Sequence, residues 1–158
     1  MHVKLKKLND KAIMPDKKHL GDFCYDVVAT EEKEVAPNVW QYKLGFAYEL
    51  DDNDFRLKNW NKTAPGEKMN VCISFRPRSS VWKTGMVLSN SIGTLDEFYR
   101  GEVMAVFYHV MPNMPRYKVG DRIGQIYLST TLPMQFEWVN EINMDTERGE
   151  GGYGSTGK

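Results

Sequence analysis

The chain lacks an excess of either charge: 21 lysines and arginines stand against 21 aspartates and glutamates in 158 residues. A balanced chain without a basic block offers no footing for a phosphodiester backbone, so a nucleic-acid-like partner would be a small molecule met in a pocket. Cysteine is scarce. Cys24 and Cys72 lie far apart, without a CxxC pair, which excludes a disulfide framework and reads as reduced core thiols. His2, His19 and His109 show no ligand spacing, which argues against a histidine metal site or a Ser–His–Asp triad. No apolar run approaches the roughly 18 residues of a membrane span. The first fifteen residues, MHVKLKKLNDKAIMP, are basic but carry no apolar core, so no signal peptide is expected. The expected location is cytoplasmic, where the sequon Asn61-Lys62-Thr63 carries no meaning.

Long amphipathic helices are also missing. Instead, short alternating or β-branched runs are cut by Gly, Pro, Asn and Asp. MNVCISF (69–75), EVMAVFYHVM (102–111), RIGQIYL (122–128) and QYKLGFAYEL (41–50) each read as strands, with Tyr42, Leu44, Phe46, Tyr48 and Leu50 alternating in the last. Regular turns between many short strands predict an all-β sandwich or barrel in a single domain. One short helix is expected at SSVWKTG, capped by Ser79 or Ser80 and ended by Gly85. The polar stretch from Asp51 to Lys68 fails the calcium-loop test, because Phe55 or Arg56 falls at the fifth ligand position, and reads as a solvated loop.

Five fragments carry chemistry. The tail GYGSTGK (152–158) spells the core of a P-loop, yet such a loop needs a buried strand before it and a helix after it. What survives is glycine-rich backbone able to approach a polyanion, with Arg, Ser and Thr as donors. In RPRSS (76–80), Arg78, Ser79 and Ser80 suit phosphate as well as they suit a helix cap. In GTLDEFYRGEV (93–103), a hairpin or loop between strands, Asp96 is either an ordinary turn residue or a general base for water, and Tyr99 is placed to stack. Asp26 in CYDVVAT (24–30) and Gln125 in GDRIGQI (120–126) are polar residues inside apolar strand patterns.

Taken in order, these pieces resemble the five motifs of the homotrimeric dUTP pyrophosphatases, the dUTPases. YDVVAT resembles the first motif, PRSSVW the second, NSIGTLDEFYRGEV the third, GDRIGQIYL the fourth and RGEGGYGSTGK the fifth. The resemblance spans about residues 23 to 158. Departures are Phe23-Cys24 in place of Ala-Gly, Gly124 in place of the usual Ala, Tyr153 in place of the commoner Phe, and a longer segment between motifs one and two (about 31–70).

The resemblance implies a jelly-roll-like β-sandwich or distorted barrel over 1–147, with one short helix after motif two and a flexible arm over 148–158 that closes a neighbour's site. It implies a homotrimer with shared sites: motifs one, two and four from one subunit, three from a second, five from a third. The implied reaction is dUTP plus water to dUMP and pyrophosphate, which supplies dUMP and keeps uracil out of DNA. Asp96 would activate water at the α-phosphorus. Mg²⁺, bridging the phosphates, would be met by Asp26 through water; alternatively Asp26 holds Arg78. Arg78, Ser79, Ser80 and Gln125 would bind phosphate, and Arg148, Gly154, Ser155 and Thr156 would grip its far end. Tyr153 would stack on uracil. Asn90 and the stretch Gly93, Thr94, Leu95 to Met104 would read its edge, and Tyr99 under the deoxyribose would reject UTP. Alternatives are a dCTP deaminase of the same superfamily and a nucleotide-gated binding module.

Overall fold

The computed structural model describes residues 2–50, 70–147 and 149. The Asp51–Lys68 loop and nearly all of the 148–158 arm lie outside them. Ten strands follow in chain order: β1 (Val3–Lys7), β2 (Tyr25–Val28), β3 (Glu31–Ala36), β4 (Val39–Lys43), β5 (Phe46–Leu50), β6 (Asn70–Arg76), β7 (Met86–Leu88), β8 (Gly93–Asp96), β9 (Met104–His109) and β10 (Arg122–Thr131). One short 3-10 helix, η1 (Ser79–Lys83), follows β6. The expected all-β class and the single helix after RPRSS both stand.

The strands form two four-stranded antiparallel sheets, ordered β2-β10-β6-β8 and β3-β4-β9-β7, and a separate β1-β5 pair. Alternation places Val27, Ile73, Phe75 and Ile123 of the first sheet against Tyr42, Ala105 and Phe107 of the second. Phe75 meets Phe107 edge-on at 6.4 Å between centroids, and Phe107 meets Tyr42 likewise at 5.9 Å, the geometry that ring quadrupoles favour.

QYKLGFAYEL is not one strand. It breaks at Gly45, whose φ of +75° belongs to glycine, and a Cβ there would stand 2.9 Å from the Asn9 side chain. The alternation continues through the break, so Tyr42, Leu44, Phe46, Tyr48 and Leu50 are all buried although β4 and β5 join different sheets. The helix cap also differs from expectation. Arg78, not a serine, occupies the N-cap of η1, and no side chain caps it. That leaves both hydroxyls outside the capping role.

Gly124 has a packing reason. A Cβ at that position would overlap the Phe75 ring and stand 3.0 Å from the Arg76 carbonyl. Phe75 is only 2% exposed and has nowhere to retreat. Gly124→Ala, a change toward the usual family residue, is therefore expected to destabilise this chain by about 2 kcal/mol, as overpacking does. Thermal unfolding of the variant beside the parent checks it.

Candidate active site

Three of the sequence-selected residues meet at one place. β10 lies between β2 and β6, with Gln125 opposite Asp26 on one side and opposite Arg76 on the other. Two residues past Arg76 the chain turns into η1 and presents Arg78. The Asp26 carboxylate, whose side chain is 12% exposed, ties these elements together. Its Oδ1 accepts from Arg78 Nε at 3.1 Å and from Gln125 Nε2 at 3.0 Å. Its Oδ2 accepts from Arg122 Nη1 at 2.9 Å. Of the two roles open to Asp26, holding Arg78 is the one seen. Charge-assisted bonds to a sheltered carboxylate fix the guanidinium's direction and leave its remaining N–H groups for another acceptor. Asp26, Arg78 and Gln125 line a pocket of about 350 Å³. Ser79 is exposed and Ser80 half-buried at its η1 side.

Arg122 was not singled out from the sequence, though it stands inside GDRIGQI. Only the β2–β10 register brings it onto Asp26. Tyr48 was also missed, because its place in an apolar alternation reads as core. It is core, at 2% exposed, but its hydroxyl donates to the Asp96 carbonyl. A buried tyrosine hydroxyl needs such a partner. Burial, then the nearby Asp96 charge, pushes the Tyr48 hydroxyl up to about 12.

Asp96 ends β8, and its carbonyl also accepts the Tyr99 N–H at 3.0 Å. The backbone at Asp96 is thus held from two sides. Its side chain is exposed, and among the described residues no donor engages the carboxylate, which leaves it free to bind water. Of the two readings of the motif-three segment, hairpin or loop between strands, the loop is present, and it changes sheets: β8 pairs with β6, whereas β9 pairs with β4 and β7. Tyr99 lies over Gly101 and donates to the Glu102 carbonyl at 3.0 Å. Gly93 lies opposite Phe75, Thr94 opposite Ser74 and Leu95 opposite Ile73. Met104 begins β9, its Sδ accepting from Gln41 Nε2 at 3.1 Å, and Asn90 is an exposed turn residue after β7. Arg148, Tyr153, Gly154, Ser155 and Thr156 lie outside the described residues.

Asp96 does not join the Asp26 pocket within one chain. In the order β2-β10-β6-β8 it lies three strand spacings from Asp26, about 14 Å. Along the strands, Asp96 is opposite Cys72, while Asp26 is level with Arg76, four residues further on, which adds roughly 13 Å. The two backbone positions are therefore roughly 19 Å apart across the sheet, too far for both residues to act on one phosphorus.

Comparisons with known proteins supply the family. The dUTPase family model matches residues 68–157. The chain belongs to the dUTPase family. It is 31% identical, over 99% of both chains, to the deoxyuridine 5'-triphosphate nucleotidohydrolase of a Picosynechococcus strain. Its fold resembles that of a mutant Staphylococcus bacteriophage 80alpha dUTPase solved with dUpNHpp, with a TM-score of 0.76, 20% identity and 99% of each chain covered. It also resembles a mutant dUTPase of phage phi11 of S. aureus, described with a structural Mg(II) ion, at a TM-score of 0.65 and 16% identity over 90% of this chain and 99% of that one. Among the described residues of this dUTPase, no helix is long and apolar enough to cross a membrane, and no cluster of three or more His, Cys, Asp or Glu could hold a metal ion.

Proposed function

We propose that this dUTPase hydrolyses dUTP to dUMP and pyrophosphate in sites shared between the subunits of a homotrimer. The observation that carries the reading is the gathering of Asp26, Arg78 and Gln125 at one pocket, with the exposed Asp96 carboxylate far from it on the same chain. A neighbour's Asp96 completes the site.

In each site Arg78, Ser79, Ser80 and Gln125 bind the phosphates of the substrate. Asp26 holds Arg78 in position. The neighbour's Asp96 accepts a proton from the attacking water as the α-phosphorus is approached, with its backbone steadied by Tyr48. Positioning and charge neutralisation carry most of such a reaction. Tyr99, Asn90 and the strand Gly93–Asp96 with the loop to Met104 receive the nucleoside. Uracil and cytosine invert donor and acceptor along the reading edge, so a fixed polar edge rejects the wrong base. The arm closes the site with Tyr153 on the base and Arg148, Gly154, Ser155 and Thr156 on the phosphates.

Mg²⁺ fits the donors present only as a partner of the substrate. Asp26 already accepts three hydrogen bonds, which leaves about one of its four lone-pair sites for a bound water. Magnesium keeps several waters and takes few protein ligands, so the substrate phosphates would hold it, and the remaining Asp26 site would accept from one of its waters. When bound, the ion neutralises triphosphate charge.

Trimer formation is supported by the segment after β10. Leu132, Met134, Phe136, Trp138, Val139 and Ile142 are all exposed, Trp138 at 104% and Phe136 at 86%. A stretch so apolar gains by packing on another subunit. An open apolar groove lined by Val3, Leu5, Tyr48, Leu95 and Leu128 is available to receive it.

Pyrophosphate release from dUTP, compared with dCTP, dTTP and UTP, tests the reading. Turnover of dUTP alone is expected. Ammonia release from dCTP would instead indicate a deaminase, and absence of turnover would indicate a binding module.

A further inference from the structure

The loop before β2 places a lysine and a histidine in the lining of the Asp26 pocket. The backbones of Asp16 and Asp26 bond reciprocally, Asp26 N to Asp16 O at 2.7 Å and Asp16 N to Asp26 O at 3.3 Å. A turn closes next, with Asp22 N donating to His19 O at 3.0 Å and His19 N donating to Asp22 Oδ2 at 2.9 Å. The first two bonds anchor the loop to the strand that carries Asp26, and the other two close the turn within it. Lys18, His19 and Asp22 consequently line the same pocket as Asp26, Arg78 and Gln125.

The charges there are unevenly committed. The Asp22 carboxylate is engaged by the His19 N–H, and Asp26 by Arg78, Arg122 and Gln125. Among the described residues, no carboxylate pairs with Lys18. An uncommitted ammonium and an imidazole therefore face a pocket whose floor is an oriented guanidinium and a carboxamide. That set suits a polyanion longer than a single phosphate, because its donors come from three separate elements: the loop before β2, the entry to η1, and β10.

We propose that Lys18 and His19 are additional ligands of the substrate's phosphate chain, in the pocket that Arg78 also lines. The inference rests on the assignment of this pocket to the triphosphate. The segment preceding the first motif thereby becomes part of the binding machinery.

Lys18→Met and the double variant Lys18→Met/His19→Gln test it on the full chain. Exposed charge-assisted contacts of this kind predict a rise in KM for dUTP of about five-fold for the single change and more for the double. The change in kcat should stay within about two-fold, because neither group touches the reacting water. Affinity for inorganic pyrophosphate and for dUpNHpp should fall in step, and Lys18→Arg should restore most of both. Inhibition by deoxyuridine, which carries no phosphate, should be unchanged. Unaltered pyrophosphate and dUpNHpp binding in a folded double variant would overturn the proposal, as would equal weakening of deoxyuridine. Pyrophosphate binding separates this from the parent reading: a protein that binds pyrophosphate through Lys18 but leaves dUTP intact refutes the hydrolase, not the subsite.

Discussion

Asp96→Asn is expected to bind dUTP nearly as well as the parent and to lose turnover by about a thousand-fold, the scale of a lost general base. The argument is geometric. Asp96 ends β8 with its carbonyl held by Tyr48 and by the Tyr99 N–H, so the backbone does not depend on the carboxylate. Asparagine keeps the size and the backbone bonds but cannot take a proton from water. Binding is measured with dUpNHpp and turnover by pyrophosphate release. Weakened binding together with intact kcat would assign Asp96 to recognition instead of proton transfer.

Mixing two inactive proteins is expected to restore activity. Arg78→Ala loses the oriented guanidinium, and Asp96→Asn loses the base. Asp96 lies opposite Cys72 on β6, whereas Arg78 follows the other end of β6 and is bonded to Asp26, so a site that uses both must draw them from different chains. In randomly reassembled trimers of the two variants, roughly a quarter of sites pair an intact Arg78 with an intact Asp96. Activity near that fraction of the parent is the expected result, against almost none for either variant alone. The mixture must be unfolded and refolded together so that subunits exchange. An exchanged mixture that stays inactive would place both groups in one chain's site, against the distance of Asp96 from the pocket that Arg78 and Asp26 line.

Much of the site was legible through the five motifs taken in order. Singly, Arg78, Gln125 and Asp26 read as a helix cap and as structural polar residues in apolar strands; the motif order made them site candidates. Asp26 illustrates where that legibility stops. Its sequence neighbours allow either a metal-bound water or an ion pair. The ion pair is the role that the structure shows, and its partners Arg78, Arg122 and Gln125 lie 52, 96 and 99 positions away. Tyr48 was legible only as core, since alternation records which face a side chain takes and not what its hydroxyl meets. Gly45 was overlooked as a break because the apolar period runs through it unaltered.

The sequence by itself determined the all-β class, the single short helix after Pro77, the family and the residue types that a triphosphate needs. These are local properties: alternation with a period of two, turn residues, and motifs a few residues long. Only the tertiary structure decided that the motif-three segment is a loop between sheets, that Lys18 and His19 share the Asp26 pocket, and that Asp96 stands apart from it. Those outcomes depend on strand order and register. Register is set by how whole faces pack in the core, and no short stretch of sequence carries that information.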